Sequence, residues 1–403
     1  MQILFLSQVL PYPLDAGPKV RSYYVLRHLA QRHSVTLATF VRDSDPPEAL
    51  NHLRTVVAQV APCPMRRSAW RNAAAIGRSA LSGEPVLMAR DHVLEMSNLV
   101  RRLCAETPFD AIHADQLWMA PYALAAGAGV PGGRARPRLV LDQHNAVYLI
   151  PGRLAAGASN PLLRFGWRRE ARQMAHYEAR ACLAFDQVVT VTEADRQALG
   201  QLYSTGHQPS FRVIPICIDT RAVTPQARAA APGILFLGGM HWPPNAEGLS
   251  WFAESILPAI RASEPGARLL AIGRQPPQSL QRPEVADFIE APGYVEDTEA
   301  FWARSQVFIV PLRSGGGMRV KILDAWAQGL PVVSTTIGAE GLQYQQGENI
   351  LIADTPDDFA RAVVTILRDA GLAARLAAAG RLNVEQNYDW QRVYQAWDSI
   401  YST

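Results

Sequence analysis

Lysine is almost absent from this chain of 403 residues. Lysine and arginine together number 39, yet Lys19 and Lys321 are the only lysines. Each follows a glycine turn, at Gly17 and at Gly315 to Gly317. A compact ammonium suits a point contact with an anion, whereas the planar guanidinium suits paired contacts. The two positions therefore indicate sites where an ammonium is preferred.

Cysteine, net charge and long apolar runs are also scarce. The scattered cysteines show no CxxC pattern, which argues against a zinc cluster or disulfide framework and predicts free thiols in a reducing compartment. A formal charge of +3 is too small to indicate nucleic acid as a partner. No apolar run reaches the roughly 18 residues of a membrane-spanning helix. The opening segment Met1 to Leu10 is typical of a buried strand and not of a signal peptide, so we expect a cytoplasmic protein.

The length exceeds one ordinary hydrophobic core, which predicts two domains. A strand, glycine loop, helix and strand occupy the N-terminus, and the same alternation begins again at Gly233. The pattern predicts an α/β protein with two Rossmann-like domains, whose parallel sheets face a central cleft. We expect a first domain over 1–219, a linker over 220–232, a second domain over 233–385, and a terminal helix over 386–403 that returns to the first domain.

Polar residues follow the predicted strands of the first half. His113 ends one strand with Asp115 close behind, and His144 and Asn145 follow another. The loop at Asp15 occupies the same position after the first strand. Parallel sheets bind ligands beyond the carboxyl ends of their strands, so these residues are candidates for a site. A histidine there is equally typical of a hydrogen-bonded structural residue.

The second glycine turn lies between a predicted strand ending near Leu312 and a predicted helix over Met318 to Gln328. Glycines let the backbone approach a ligand, and the amides at a helix start favour an anion. With Arg319 and Lys321 beside it, the loop indicates a phosphate or diphosphate site. The alternative is a simple turn in which Lys321 forms a surface ion pair with Asp324.

Two basic stretches with aromatic residues, Met65 to Leu81 and Leu162 to Arg172, suit either an anionic membrane surface or ordinary exposed helices. The Asp43-Ser44-Asp45 segment has the DxD pattern of some metal–diphosphate sites, but it precedes Pro46 and Pro47 and is more typical of a turn.

Taken in order, several motifs resemble the retaining glycosyltransferases of family 4, which have the GT-B fold. They are IHADQLW, DQHN, VIPICID, GYVEDTEAFWARSQVFIVP and LDAWAQGLPVVSTTIGAEGL. The PLRSGGGMRVK and GGMHWPPN segments are most similar to a branch associated with bacterial exopolysaccharide sugar transfer.

The resemblance implies a role for each matching residue. Arg319, Lys321 and His144 would be catalytic; Gly17, Lys19, Gly239, Tyr294, Val295, Gly315, Gly316, Gly317, Met318 and Asp324 would bind the donor; and Asp15, His113, Asp115 and Asn145 would lie on the acceptor side. It also implies a UDP- or GDP-linked sugar as donor, no metal and no other cofactor. The expected acceptor is a glycan or polyprenyl-linked glycan. The two basic stretches, and not the resemblance, are the reason to expect a lipid-linked acceptor and peripheral contact at the inner face of the cytoplasmic membrane.

Two departures from the family pattern affect these expectations. Gly316 stands where most members carry a glutamate that contacts the donor sugar, and Met240, His241 and Trp242 replace the usual arginine and lysine. A non-catalytic nucleotide-sugar scaffold and a nucleotide-sugar epimerase are therefore alternatives. A nicotinamide oxidoreductase is disfavoured, because no GxGxxG follows the first strand.

Overall fold

The structure is a computed structural model that describes residues 1–65, 69–129, 135–203, 208–225 and 232–402. Part of the basic stretch at Met65 to Leu81 and residues 226–231 of the expected linker lie outside these ranges. The chain forms two compact units, and each is described by itself. Unit 1 comprises Met1–Cys217 with Val393–Thr403, and unit 2 comprises Ile218–Arg392.

Unit 1 is built on a parallel sheet with the strand order β3-β2-β1-β4-β5-β6-β7. The strands are β1 Gln2–Ser7, β2 Ser34–Val41, β3 Gln59–Pro64, β4 Ala111–Asp115, β5 Arg138–Gln143, β6 Gln187–Thr190 and β7 Phe211–Val213. The helices are α1 Gly17–Ala30, α2 Pro47–Val56, α3 Ala69–Ser82, α4 Val86–Asp91, α5 Leu94–Glu106, α6 Ala120–Ala128, α7 Leu149–Gly157, α8 Pro161–Ala184 and α9 Glu193–Gly200.

The central strands of unit 1 are buried along nearly their whole length, as is typical of a parallel sheet. All five residues of β4 are buried, as are the last five of β1 and of β5. Strands covered on both faces carry continuous apolar runs, and helices on both sides supply that cover. Leu4, Ile112 and Leu141 lie in the resulting core. The carboxyl ends of β1, β4 and β5 are therefore neighbours.

Unit 2 repeats the design with the order β10-β9-β8-β11-β12-β13, again parallel. Its strands are β8 Gly233–Leu237, β9 Arg268–Ile272, β10 Ile289–Gly293, β11 Ser305–Val310, β12 Val332–Ser334 and β13 Leu351–Ile352. Its helices are α10 Pro243–Trp251, α11 Leu257–Ser263, α12 Pro283–Ala286, α13 Glu299–Ala303, α14 Val320–Ala327, α15 Pro356–Arg368, α16 Ala370–Asn387 and α17 Trp390–Val393. The expected pair of Rossmann-like sheets is confirmed.

The end of the chain belongs to unit 1. After α17 a 3-10 turn, Tyr394–Trp397, leads into α18, Asp398–Tyr401. Tyr394, Trp397, Ile400 and Tyr401 are all buried there. No helix in the described part of the chain is long and apolar enough to cross a membrane.

Candidate functional site

The glycine loop of unit 2 joins the end of β11 to the start of α14. Gly315 and Gly317 have φ of 108° and 82°, a left-handed conformation that side chains other than glycine rarely adopt. Met318 is largely buried, and Arg319 precedes the first helical residue, Val320. The loop therefore brings backbone and helix amides to the carboxyl edge of the sheet.

Arg319 folds back on this loop. Its Nη1 donates hydrogen bonds to the carbonyl oxygens of Gly316 and Gly317, the second at 2.9 Å. The guanidinium thus closes the loop on itself through Nη1.

Lys321 lies one residue into α14. Its Nζ is 3.1 Å from Oδ1 of Asn245 and 4.2 Å from the ring centroid of Phe236. A Cβ on Gly238 would lie 2.5 Å from this nitrogen, so glycine leaves the space the ammonium occupies. Burial, assisted by Arg319, lowers the pKa of Lys321 to about 7. An ammonium that donates to a neutral amide in a desolvated place is suited to gain an anion.

Asp324 follows one turn later on α14. Burial raises the pKa of its carboxyl to about 7, and Lys321 opposes that rise only partly. Among the described residues Lys321 donates to Asn245 and forms no ion pair with Asp324, so the surface ion pair considered from the sequence is not present.

Asn245 was not a candidate from the sequence, although it ends the GGMHWPPN segment. Its Nδ2 donates to the carbonyl of Gly239 at 2.8 Å while its Oδ1 accepts from Lys321, so it joins both glycine turns. Near it, Met240 is buried, whereas the Trp242 side chain is 55% exposed.

The expected base-binding segment follows β10. Gly293 has φ of 90°, and Tyr294 after it is 54% exposed. The guanidinium of Arg274, which the sequence analysis missed, lies 4.7 Å from the centroid of the Tyr294 ring. Val295 is half-buried. An aromatic ring paired with arginine offers a flat face on which a nucleobase can stack.

In unit 1, the predicted residues of the first loop are joined by an ion pair. Lys19 Nζ lies 2.9 Å from Oδ1 of Asp15. Gly17 is the first residue of α1, so it lies at a helix start.

His144 is fixed by a chain of hydrogen bonds at the carboxyl edge of the same sheet. Its Nε2 is 2.9 Å from Oδ1 of Asp115. Oδ2 of Asp115 accepts from the hydroxyls of Ser7, at 2.9 Å, and Ser22, at 2.8 Å. A carboxylate accepts, so Nε2 of His144 carries the proton and Nδ1 is left for other partners. Asn145 beside it is half-buried.

His113 is not at the surface of a site. It is fully buried, its Nδ1 is 2.6 Å from the hydroxyl of Tyr401, and its ring stacks on Phe5 at 4.2 Å. Burial lowers the pKa of His113 to about 4, so the imidazole is neutral. As folded, His113 supports the site from behind and cannot contact an acceptor directly.

Arg21 organises the buried network beside His113, and sequence reasoning missed it. Nε and Nη2 of this buried guanidinium bind both oxygens of Asp142 at 3.0 and 2.9 Å. Nη1 donates to the carbonyls of Ile214 and Pro215 at 2.8 and 2.6 Å. Burial opposes ionisation of Asp142, but Arg21 and the nearby histidines outweigh it and lower its pKa.

The carboxylates of Asp115 and Asp142 lie close enough together, with His113, to be considered as metal ligands. Potential ligand atoms of His113, Asp115 and Asp142 lie within 4.8 Å of one another. Both oxygens of Asp142 are bound by Arg21, and both oxygens of Asp115 accept hydrogen bonds. The guanidinium already supplies the positive charge, so this group fits a satisfied polar network better than a cation site.

Two further buried carboxylates hold the segment after His144. Glu178 accepts from the amides of Val147 and Tyr148, each at 2.9 Å, and Asp195 accepts from the amide of Ala146 at 2.9 Å. Burial raises the pKa of Glu178 to about 7. The position of His144 therefore depends on α8 and α9 as well as on the sheet.

Comparisons with known proteins follow the division into units. Residues 17–222 match the model described as Glycosyltransferase Family 4, and residues 231–369 match Glycosyl transferases group 1. An uncharacterized 44.6 kDa protein in the cps region of Klebsiella pneumoniae is 26% identical over 40% of this chain and 44% of its own length. The lipopolysaccharide core biosynthesis glycosyltransferase LpsE of Rhizobium meliloti is 37% identical over 26% of this chain and 31% of its own. The chain thus matches less than half the length of these relatives.

Solved structures share the whole fold. Sucrose-phosphate synthase of Thermosynechococcus elongatus has a TM-score of 0.71 and 16% identity, covering 100% of this chain and 98% of that one. Anabaena Alr3699/HepE in complex with UDP has a TM-score of 0.70 and 14% identity, with 99% of both chains covered. WaaG, a glycosyltransferase involved in lipopolysaccharide biosynthesis, has a TM-score of 0.66 and 15% identity, with both chains fully covered. At these identities the likeness shows the two-domain fold alone.

Proposed function

The chain belongs to glycosyltransferase family 4, and we propose that it moves a sugar from a nucleoside-diphosphate sugar to a glycan or polyprenyl-linked glycan of the cell surface. The observation that carries this proposal is the position of the Lys321 ammonium. It lies beside the glycine loop of unit 2 and donates to a neutral amide. The relatives from a capsule region and from lipopolysaccharide core biosynthesis support the acceptor class. The donor nucleotide is UDP or GDP: the HepE structure holds UDP, and a mannosyltransferase of Mycobacterium tuberculosis to which the chain is similar is GDP-mannose-dependent.

The reaction needs stabilisation of the diphosphate as its bond to the sugar breaks. Lys321, Arg319 and the amides at the start of α14 supply positive charge where negative charge develops. Removing one such donor costs about 2.7–4 kcal/mol of barrier in known enzymes. We propose that these groups stabilise the diphosphate without a divalent metal, so a chelator should leave the rate of sugar transfer unchanged.

We propose that the transfer retains the anomeric configuration. The acceptor hydroxyl forms the new bond to the anomeric carbon on the face from which the diphosphate departs. The leaving phosphate oxygen takes the acceptor's proton, so a nucleoside diphosphate and the glycoside are the products. His144, with Nε2 held by Asp115, would present Nδ1 to the transferred sugar.

We propose that Asp324 binds the ribose hydroxyls and that the Tyr294–Arg274 pair, which lies beyond β10, stacks on the base. Asp15, Lys19 and Asn145 remain the candidates for unit 1 contacts with donor phosphate and acceptor. The cytoplasm is the proposed compartment, because nucleotide sugars are its metabolites.

One observation favours a second candidate, a non-catalytic nucleotide-sugar scaffold. Gly316 supplies no carboxylate to the donor sugar, so binding without turnover is chemically consistent with the loop. Product analysis separates the two, since a scaffold binds the donor and releases no nucleoside diphosphate.

A thermal-shift screen of the protein against UDP, GDP, ADP, CMP and NAD tests the donor class. Ligand at about 100 times its dissociation constant adds about 2.7 kcal/mol to the free energy of unfolding. We expect stabilisation by one nucleoside diphosphate, lost in Lys321→Met. Stabilisation by NAD alone, or by none of the five, would contradict the proposal.

A further inference from the structure

The first turns of α8 extend past the core of unit 1. Leu162, Leu163 and Phe165 are 82%, 59% and 71% exposed. Glu170 and Met174, on the helix stripe that also carries Leu163, are buried. The stripe that packs on the core therefore continues into a part of the helix that the described residues of unit 1 leave largely exposed. Apolar side chains surround this helix end on several sides.

Two other helices of unit 1 contact α8 and carry further exposed apolar side chains. Helix α7 precedes α8 and packs against it, and α3 is tied to α8 by hydrogen bonds from Arg169 to the carbonyl of Ser79, at 3.3 Å, and from Gln173 to that of Gly83, at 3.0 Å. These helices add Ile150, Leu154, Ile76 and Leu81, which are 40%, 47%, 60% and 92% exposed. We call the exposed face of α3, α7 and the first turns of α8 the hairpin surface.

The charge of the hairpin surface has one sign. Where the structure describes this surface, the arginines at 78, 153, 164, 168 and 169 are exposed, whereas Glu170 of α8 is buried and accepts from two backbone amides. The whole chain has a formal charge of +3, so the remainder of the molecule is net negative. Arg168 and Arg172 are exposed on α8 next to the apolar group.

We propose that the hairpin surface docks on an anionic lipid bilayer. Apolar side chains at a helix end would enter the boundary between headgroups and acyl chains, while the flanking arginines would bind lipid phosphates. A second copy of this chain is disfavoured as the occupant, because it would present the same positive charge. The inference deepens the proposed function, since a polyprenyl-linked acceptor is held at such a bilayer, and it rests on that function only for the acceptor's identity.

Co-sedimentation of the full chain with vesicles tests the proposal. Vesicles of phosphatidylcholine are compared with vesicles of phosphatidylcholine and phosphatidylglycerol, at low and high sodium chloride. We expect binding to the anionic vesicles that weakens with salt. The partition coefficient should fall at least tenfold in Leu162→Ser/Phe165→Ser and in Arg168→Glu/Arg172→Glu.

Matched controls lie at the other end of the same helix. Leu183 is 41% exposed and Arg180 is exposed, so Leu183→Ser and Arg180→Glu make the same chemical changes outside the hairpin surface. Both should bind vesicles like the parent, and all variants should keep the parent's melting temperature within a few degrees.

Three results would overturn the proposal. They are equal binding to neutral and anionic vesicles, equal loss of binding in the controls, and a change only in oligomeric state by light scattering, which would make a second copy the occupant. Vesicle binding does not need sugar transfer, and the nucleotide thermal shift does not need vesicles. Failure of the docking proposal and failure of the proposed function are therefore separate results.

Discussion

The pH dependence of donor binding should report the ionisation of Lys321. Burial lowers the pKa of this ammonium to about 7, so about half of the free molecules carry its charge at pH 7. Its charged form attracts the diphosphate and its neutral form does not. Affinity for UDP or GDP should therefore fall as pH rises: about fivefold from pH 7 to 8 and more than tenfold by pH 8.5.

Lys321→Met keeps an unbranched side chain beside the Phe236 ring and removes the charge that lies over it. Two unit charges about 4 Å apart interact by roughly 4 kcal/mol at an effective dielectric constant near 20. Desolvation offsets part of this, so we expect about a hundredfold weaker binding and turnover at pH 7. Because the parent loses the same charge at higher pH, the gap between parent and variant should narrow by more than tenfold at pH 8.5.

Isothermal titration calorimetry in two buffers of different ionisation enthalpy measures both the affinity and the proton uptake. Asp324→Asn is the control, because the pKa of that carboxyl is also raised to about 7 and its ionisation would repel a diphosphate as pH rises. In Asp324→Asn the affinity should still fall with rising pH by the amount that the loss of charge on Lys321 causes. Two results would refute the role of Lys321. One is a parent affinity that stays constant between pH 7 and 8.5, and the other is an affinity difference between parent and Lys321→Met that stays a hundredfold over that range.

Three further predictions concern the supporting network and the packing. Arg21→Met leaves Asp142 buried without its cation and should cost about 3–5 kcal/mol in denaturant unfolding, with partial recovery in Arg21→Met/Asp142→Asn; no loss would contradict the network. Asp115→Asn should lower kcat about tenfold and shift the pH profile of kcat while donor affinity is unchanged; an unchanged profile would make Asp115 structural. Gly380→Ala would place a Cβ 2.4 Å from the Trp326 ring and should lower the free energy of unfolding by about 1–3 kcal/mol; a parent-like melting temperature would show that the ring can move.

The glycine loop was predictable because its signals are local. Gly315, Gly317 and Gly329 have positive φ in the structure, and Pro331 precedes the next strand as the sequence indicates. The alternation of apolar runs with glycine and proline turns also predicts two parallel sheets.

Residues whose roles depend on distant partners were not predictable. Arg21 meets Asp142 across 121 positions, and Asn245 meets Lys321 across 76. Nothing in the local pattern separates Arg21 from the other arginines of a chain with so little lysine. These contacts exist only after the sheets form.

His113 shows how a local signal can mislead. The sequence pattern ends the strand at His113, whereas β4 continues to Asp115. The histidine is therefore inside the strand and covered by Tyr401, and Asp115 occupies the strand end, where it holds His144. Because the predicted strand ended two residues too early, His113 was expected at the site, whereas the structure has it in the core.

Transfer of labelled sugar tests the central claim most directly. The protein is incubated with UDP- and GDP-linked sugars and a membrane extract containing lipid-linked glycans, with and without EDTA. The account predicts that one donor labels a glycan, that the new linkage has the donor's anomeric configuration by NMR, and that EDTA does not change the rate. Binding of a nucleotide sugar that yields only an epimer, only free sugar or no product would contradict it.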